Sequence, residues 1–388
     1  MEEKFWDEIR EEFPVTQKLA YFHSAGMSPM PNRVFEAVTE AYLKINQFGD
    51  MYFLDDLERT NVLRGKLAKL INTNTENVCF TQNTSIAFSF VAAALKKRVP
   101  QAFNLVSLHD EFPASNVPFE FQGIPMKFVK PENHSYSVES ILNEVDSNTL
   151  GVVCSYVQYS TGFMLEMEKL GKALKERGLL FIVNATQAFP VYEVDVEKMH
   201  IDALTVSFHK WGLCAVAGTL FYTSEDFRKS YPLPMAGWLS VHPPEDDFIP
   251  TQKNVTYKQY DSAEQYNFGT MNFQALIGLD VSIEFILEIG RDRIRERITS
   301  LTDYLVDRLR ELPIEIISPV ERPENRSAII LINLKNADNT KANEFLRKHN
   351  IITSVRAGNI RIACNFFNNF KEIDQLINVL ELFSEMQS

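Results

Sequence analysis

The sequence predicts an α/β protein in which a mostly parallel seven-stranded sheet forms a large domain and a smaller α+β domain follows it. The first observation is an alternation of short apolar strands with helical patterns, which is typical of a parallel sheet covered by helices on both faces. The second is the length of 388 residues, which is long for a single hydrophobic core. The third is a change of pattern near residue 273, where a long helical stretch begins.

The predicted strands of the large domain are short and apolar, and ligands of such sheets bind at the carboxyl ends of the strands. Helical patterns at 85–97 and 166–177 separate some of them. The strands are predicted at 78–81, 103–108, 124–129, 150–155, 179–183, 203–207 and 218–222.

The C-terminal part is predicted to begin with a helical stretch over 273–312 that bends near Gly290. Two strands, at 327–334 and 361–363, and two helices, at 341–348 and 370–386, follow it. We therefore expect an N-terminal segment, 1–25, that packs with the small domain, a large domain over 26–272 that holds the ligand, and a small C-terminal domain over 273–388.

Composition favours a protein that acts on a small molecule. A formal net charge of -12 argues against binding to nucleic acid or to anionic membranes, which reward clustered Lys and Arg. The acidic start lacks the order of a secretory signal, and apolar runs are far shorter than the ~20 residues that span a bilayer. The four cysteines are scattered without a zinc or redox spacing, so we expect no metal site and a cytoplasmic location.

Lys210 closes an apolar strand in the run Ser207-Phe208-His209-Lys210-Trp211. A lysine amine is a covalent catalyst only where its environment keeps it unprotonated, and burial can arrange that. Ser207 and His209 can bind a phosphate, and Gln187, further back in the chain, can bind a ring hydroxyl. The pattern predicts a lysine that holds an aldehyde cofactor as a Schiff base.

Asn83-Thr84-Ser85 joins a predicted strand to a predicted helix. Unpaired N–H groups and the positive dipole end attract an anion at such a place. The same residues also suit a plain helix cap. The segment therefore predicts either a phosphate site or a cap.

In these stretches the chain resembles the class-V aminotransferases, the cysteine-desulfurase-like branch of the fold-type I pyridoxal-phosphate enzymes, over nearly its whole length. The resemblance implies pyridoxal 5′-phosphate as cofactor, an amino acid or amine as substrate, and a homodimer with a shared active site. The matching stretches are Tyr21-Phe22-His23-Ser24-Ala25-Gly26, Thr81-Gln82-Asn83-Thr84-Ser85, Glu111-Phe112-Pro113, Ser155-Tyr156-Val157-Gln158-Tyr159-Ser160-Thr161-Gly162, the Lys210 run, Phe268-Gly269-Thr270 and Arg361.

The resemblance also assigns roles to individual residues. Phe112 would stack on the cofactor ring, with ordinary core packing as the alternative. Gln158 and Gln187 would bond the ring or its phenolate oxygen, or be ordinary surface or core amides. The phosphate would be held by Thr84, Ser85, Ser207, His209 and, from the neighbouring subunit, Thr270.

Arg361 resembles the arginine that binds the substrate α-carboxylate, because a planar guanidinium matches a carboxylate through two parallel hydrogen bonds. The alternative is a structural salt bridge, and Arg356 is the reserve candidate. Ser24 is expected beside the substrate as well.

Two departures from the family limit the functional assignment. Cysteine desulfurases carry a nucleophilic cysteine on a loop ahead of this arginine, whereas here only residues 357–360 separate Arg356 from Arg361. Cys364 lies three positions further along, on the opposite strand face, so we read it as a buried structural residue. Persulfide-forming desulfuration is therefore disfavoured.

The second departure is Asn184, where the fold type normally places an aspartate against the pyridine nitrogen. A neutral amide does not keep that nitrogen protonated, so a weaker electron sink is expected. Three explanations stay open: a chemistry that needs less carbanion stabilisation, a degenerate homologue, or an engineered change.

The expected activity is transfer of an amino group from a small amino acid or amine through Lys210. The enzymatic alternatives are β-elimination or C–S cleavage by a lyase, or epimerisation, since these share their first steps and fold does not separate them. A catalytically impaired cofactor-binding homologue and a structural protein are alternatives of a different class.

Overall fold

The computed structural model describes residues 2–243, 256–335 and 337–387. The strands are β1 (Ala20–Tyr21), β2 (Val78–Thr81), β3 (Asn104–Leu108), β4 (Met126–Val129), β5 (Thr149–Ser155), β6 (Leu180–Asn184), β7 (Ala203–Ser207), β8 (Thr219–Thr223), β9 (Glu315–Ile316), β10 (Ile329–Asn333), β11 (Ile351–Ile352), β12 (Ser354–Arg356) and β13 (Asn359–Ala363). The helices are α1 (Glu2–Glu11), α2 (Asn32–Phe48), α3 (Phe53–Leu70), α4 (Thr84–Arg98), α5 (Pro113–Phe121), α6 (Val138–Asn143), α7 (Met167–Glu176), α8 (Glu225–Ser230), α9 (Phe273–Ile289), α10 (Arg291–Arg310), α11 (Asn339–Lys348) and α12 (Phe370–Gln387).

The central sheet has seven strands in the order β2-β8-β7-β6-β5-β3-β4. β8 is antiparallel to both of its neighbours, and β7, β6, β5, β3 and β4 pair in parallel. The predicted α/β class and mostly parallel seven-stranded sheet are confirmed. The carboxyl ends of the parallel strands consequently meet along one edge, where a ligand site is expected.

The large sheet is buried on both faces. Val152 and Cys154 of β5 belong to one hydrophobic cluster, and Val153 between them belongs to another, because successive side chains of a strand point to opposite faces. α3, α7 and α9 contribute to the first cluster, and α4 and α5 to the second. The sheet edge is thereby held rigidly between helical layers.

A second, antiparallel sheet has the order β12-β13-β10-β9 and shares a third hydrophobic cluster with α10, α11 and α12. β1 pairs in parallel with β11, and His23 bridges to Ala363. The N-terminal segment thus lies against the C-terminal part of the chain. The domain boundaries themselves stay a prediction.

The predicted long helix after residue 273 is divided by Gly290 into α9 and α10. Gly290 has φ of +94°, a conformation that glycine adopts without steric cost, so the bend predicted there is a complete break. Within the described ranges, no helix is long and apolar enough to cross a membrane.

Candidate active site

A cavity of about 290 Å³ opens at the carboxyl ends of the central strands. Ser155, Asn184 and Ser207, the last residues of β5, β6 and β7, face into it. The remaining lining residues are Ala25, Gly26, Asn83, Thr84, Ser85, Phe112, Ala114, Tyr159, Thr186, Gln187, His209, Lys210, Arg356 and Arg361. The site therefore combines the sheet edge with the hairpin β12–β13.

Lys210 is the amine of this cavity. Burial, followed by the positive charges of Arg361 and Arg356, lowers the pKa of Lys210 to about 7. Its Nζ lies 5.3 Å from the ring centroid of Phe112. A large fraction of this amine is unprotonated at neutral pH, as a covalent catalyst requires.

Phe112 is presented to the cavity and is not packed away in the core. It is 41% exposed and makes an edge contact with Tyr159, at 5.3 Å between ring centroids. A flat ring in this position could cover a planar heteroaromatic ligand on one face. The core-packing alternative does not describe it.

A chain of hydroxyl groups lies at the N-terminus of α4. Ser207 Oγ is 3.0 Å from Thr84 Oγ1 and 2.8 Å from Thr219 Oγ1. Asn83 caps the helix, since its side chain accepts from the N–H of Ile86 at 3.0 Å. The helix cap is therefore confirmed. Phosphate binding stays a prediction, in which Thr84, Ser85 and the positive helix end, which face the cavity, would attract the anion.

His209 is held neutral beside these hydroxyls, because burial and then the charge of Lys210 lower the pKa of the imidazole to about 4. His23, just outside the cavity lining, has a pKa lowered to about 4 by burial and by Arg361, Arg356 and Lys210. Its Nδ1 is buried without a hydrogen-bond partner. Sequence reasoning assigned His23 no role, since only the fold brings it near these cations.

Arg361 is buried and held by two hydrogen bonds, but one of its guanidinium nitrogens has no hydrogen-bond partner. Its Nε donates to Ser354 Oγ at 3.2 Å and its Nη1 to the carbonyl oxygen of Tyr159 at 2.8 Å, whereas Nη2 is buried without a partner. Burial and then Arg356 lower its pKa to about 9. Among the described residues it forms no ion pair, so the structural salt-bridge alternative is wrong.

Asn184 has a defined orientation. Its Nδ2 donates to Ser115 Oγ at 3.1 Å, and its Oδ1 accepts from the N–H of Thr186 at 3.1 Å. Because the backbone N–H can only donate, the atom that it contacts is the amide oxygen, and the amide nitrogen keeps one N–H for a further partner.

The two predicted glutamines differ in position. Gln187 lines the cavity, where its Nε2 donates to Ala25 O at 2.9 Å and its Oε1 accepts from Trp211 Nε1 at 2.8 Å. One N–H of Gln187 is left for a ligand oxygen. Gln158 is fully buried outside the lining and donates to Glu111 at 2.8 Å, so the structure does not bring it to the cavity.

Glu111 is a buried carboxyl to which sequence reasoning gave no role. It accepts from the Ser155 N–H at 2.5 Å, from Ser155 Oγ at 2.6 Å and from Gln158. Burial raises the pKa of this carboxyl. It braces the end of β5. Its own segment, His109-Asp110-Glu111, gave no local signal of this role, because the partners Ser155 and Gln158 lie 44 and 47 positions further along the chain.

Ser24 and Thr270 lie apart from the cavity. Ser24 is fully buried and its Oγ accepts from Asn365 Nδ2 at 3.2 Å. Thr270 is exposed and lines a different cavity, of about 510 Å³. Within one chain, neither residue joins the other predicted site residues.

The charges of the cavity fit a phosphorylated aldehyde cofactor together with a carboxylate substrate. Lys210, Arg356 and Arg361 bring positive charge into the lining, and no Asp or Glu of the described residues lines it. The buried Nη2 of Arg361 has no hydrogen-bond partner, and the hydroxyl groups of Thr84 and Ser207 could donate hydrogen bonds to an anion. Thr84, Ser85, Ser207 and His209 could hold a phosphate, and Phe112, Asn184 and Gln187 could hold a pyridine ring.

Known proteins resemble this chain over nearly its whole length. The family described as "Aminotransferase class-V" matches residues 20–371. A "Probable cysteine desulfurase" of Pyrococcus abyssi is 25% identical, with 97% of this chain and 96% of the relative aligned.

Solved structures of two proteins have the same fold. The apo cysteine desulfurase of Thermococcus onnurineus NA1 superimposes with a TM-score of 0.88 at 23% identity, covering 98% of both chains. C-DES superimposes with a TM-score of 0.85 at 17% identity, over 96% of this chain and 98% of that one, in a mutant with glycine covalently linked to the pyridoxal-phosphate cofactor. Another C-DES structure, of a cystine C–S lyase with its product cysteine persulfide, gives a TM-score of 0.84 at 17% identity, over 95% and 98% of the two chains. This chain therefore belongs to the class-V aminotransferase family of fold-type I enzymes, and its cofactor is pyridoxal 5′-phosphate.

Proposed function

We propose that the protein is a lyase that cleaves the C–S bond of a cysteine-derived amino acid and releases the sulfur product directly into solution. The observation that carries the proposal is that Lys210, whose pKa is lowered to about 7, shares one cavity with Arg361, whose buried Nη2 has no hydrogen-bond partner. None of the four cysteines lines this cavity. Relatives and structural neighbours named as cysteine desulfurases and a cystine C–S lyase support it over amino transfer, the first expectation from the sequence.

In this reaction Arg361 binds the α-carboxylate, with its free Nη2 completing a two-point contact. The Nζ of Lys210 then takes the proton from Cα, acting as general base. Pyridoxal phosphate, when bound, withdraws the electrons that this proton leaves behind. Cleavage sends the C–S electron pair onto sulfur, and hydrolysis of the remaining three-carbon fragment yields pyruvate and ammonium.

The cysteines explain why sulfur is not stored on the protein. All four are free and buried, and none lines the cavity. Cys364 is fully buried in the cluster of the smaller sheet, and burial raises the pKa of its thiol. A thiolate nucleophile must be accessible and of low pKa. The proposal therefore keeps the expectation that this protein does not form a persulfide on one of its own cysteines.

Product analysis tests the proposal. Purified holoenzyme is supplied with cysteine, cystine and S-substituted cysteines, and pyruvate, ammonium and thiol are measured together. Equal amounts of pyruvate and released sulfur compound are expected, with Lys210→Ala inactive and the surface control Lys97→Ala fully active. A keto acid that retains the sulfur, formed with transfer of the amino group, would instead establish the aminotransferase. Loss of optical activity without products would establish the epimerase.

We also propose a homodimer in the cytoplasm, as the sequence suggested. Exposed apolar side chains lie along α2 and α3, and such a patch is unusual for a surface that remains exposed to solvent. They are Phe35, Tyr42, Leu43, Ile45, Phe48, Leu54 and Val62. The exposed Thr270 could then reach a partner's phosphate site. Light scattering should give twice the mass of 44.6 kDa, and Leu43→Glu should give the monomer.

A further inference from the structure

We propose that the site selects amino acids whose side chain ends in a second anion, and that Arg356 binds this distal group while Arg361 binds the α-carboxylate. The inference rests on the proposed function and narrows its substrate to cysteine thioethers that end in a carboxylate. It is carried by the hairpin β12–β13 and by the absence of acidic side chains around it among the described residues.

The register of the hairpin puts both guanidinium groups on one face. Ser354 pairs with Arg361 and Arg356 pairs with Asn359, so these four side chains point to the same side of the two strands. Arg356 and Arg361 are diagonal neighbours across the two strands, for which a separation of about 7–8 Å is typical. Both line the cavity.

The turn makes this placement rigid. Ala357 and Gly358 are the only residues between the strands, and both have positive φ, 47° and 77°. Two such residues form the tight hairpin turn whose twist matches that of the strands. Arg356 is therefore held at the mouth of the cavity by its own strand, not by a loop.

The two arginines lie at different depths. Arg361 is 2% exposed and anchored by Ser354 and Tyr159. Arg356 is half-buried beside the exposed turn, and its Nη1 donates to the carbonyl oxygen of its neighbour Val355 at 2.7 Å. A ligand that reaches both must extend from the floor of the cavity to its rim. An amino acid that carries a second carboxylate at the end of its side chain has this shape.

Among the residues that the structure describes, no acidic side chain neutralises this pair. Within the described part of the chain, neither Arg356 nor Arg361 takes part in an ion pair, and the lining contains no carboxylate. Two guanidinium groups side by side repel each other, and Arg356 contributes, after burial, to the lowered pKa of Arg361. With the cofactor phosphate assigned to the α4 end, one arginine remains for each of two substrate anions.

A carboxylate and its amide isostere separate this effect from shape. 2-Methylglutamate and 2-methylglutamine have no Cα hydrogen, so the holoenzyme binds them without turnover, and calorimetry gives their dissociation constants. The acid should bind at least tenfold more tightly than the amide, which corresponds to about 1.4 kcal/mol. Arg356→Gln should bring the acid's dissociation constant to that of the amide, Arg356→Lys should keep part of the preference, and Arg361→Gln should weaken both ligands. Arg310→Gln, on the exposed face of α10, is the matched control.

Equal affinity of acid and amide would overturn the inference. So would an Arg356→Gln variant that weakens both ligands by the same factor, because that result means both arginines hold one carboxylate. Retention of the cofactor absorbance in each variant shows that it has folded. Pyruvate release from S-methylcysteine and from S-carboxymethylcysteine distinguishes the two proposals. Release from both at equal efficiency would contradict only the proposed selectivity. Release from neither, with the binding preference intact, would contradict only the proposed lyase activity.

Discussion

The side-chain amide of Asn184 donates a hydrogen bond to the hydroxyl of Ser115, 3.1 Å away, at the end of the strand that forms the floor of the cavity. Its oxygen accepts a hydrogen bond from the N–H of Thr186. The amide nitrogen keeps one N–H for a further partner, and a ring nitrogen that accepted this hydrogen bond would be stabilised in its unprotonated form. A weak electron sink stays the prediction for this site.

Asn184→Asp should speed removal of the Cα proton, because a carboxylate would favour the protonated ring. Exchange of the Cα hydrogen with deuterated water, followed by NMR on an amino acid that binds, measures this step directly. Asn184→Ala serves as the control, since it removes the amide without adding charge. Exchange rates that are equal in the Asp variant and the natural protein would refute this account.

The amine of Lys210 in the cofactor-free protein should titrate near pH 7. Reaction of this lysine with a small aldehyde, followed by borohydride reduction and peptide mass mapping, should rise with a midpoint about pH 7, against about 10.4 for an ordinary lysine. Arg361→Gln should move the midpoint upward because it removes a repelling charge. A midpoint above pH 9 would show that the cavity does not depress the amine.

The same shift predicts how stability depends on pH. Between about pH 7, the value for folded Lys210, and the ordinary lysine value of about 10.4, the unfolded chain binds the additional proton. The contribution of Lys210 to the free energy of unfolding therefore rises with pH across this window. Urea titrations of the cofactor-free protein at pH 7 and pH 9.5 should show a gain in stability that Lys210→Met reduces. An unchanged difference in the Met variant would assign the gain to other groups.

Arg361→Gln should abolish the preference for amino acids over the corresponding amines. Removing a charged partner of a buried carboxylate costs about 2–5 kcal/mol, which corresponds to a loss of affinity of more than tenfold. Comparing the binding of S-methylcysteine with that of the amine that lacks its carboxyl group isolates this contact. If the variant still prefers the amino acid, the carboxylate binds elsewhere.

Glu111→Ala should destabilise the protein, because Ser155 and Gln158 would keep buried donors without an acceptor, at about 1–3 kcal/mol for each. Chemical unfolding monitored by circular dichroism gives the difference. Glu111→Gln retains an acceptor and should cost less. Equal losses in the two variants would indicate that side-chain volume, not hydrogen bonding, is what Glu111 supplies.

Local patterns predicted the strands and the residues that follow them, since period and position at a strand end are properties of short segments. Lys210 and Ser207 were predicted at the site for that reason, whereas the roles of Asn184 and Phe112 came from the resemblance to the family. The amphipathic helices α2 and α3 were not predicted, although their apolar residues recur at helical spacing.

Other features depend on contacts between distant segments. Gln158 was expected at the ligand but is turned towards Glu111, 47 positions away in sequence, and Ser24 is turned towards Asn365. No local pattern reports such pairings. Arg356 was only a reserve candidate because its position relative to Arg361 follows from strand register, which the turn between them determines.

The tight turn at Ala357-Gly358 also determines what happens after the reaction. A pair of residues in this conformation supplies no flexible arm that could carry a product away. In the proposed reaction, reduced sulfur would therefore leave by diffusion, and any acceptor would have to collect it from the surrounding water. Lengthening this turn by a few residues that include a cysteine would be the smallest change that could give the enzyme a carrier of its own.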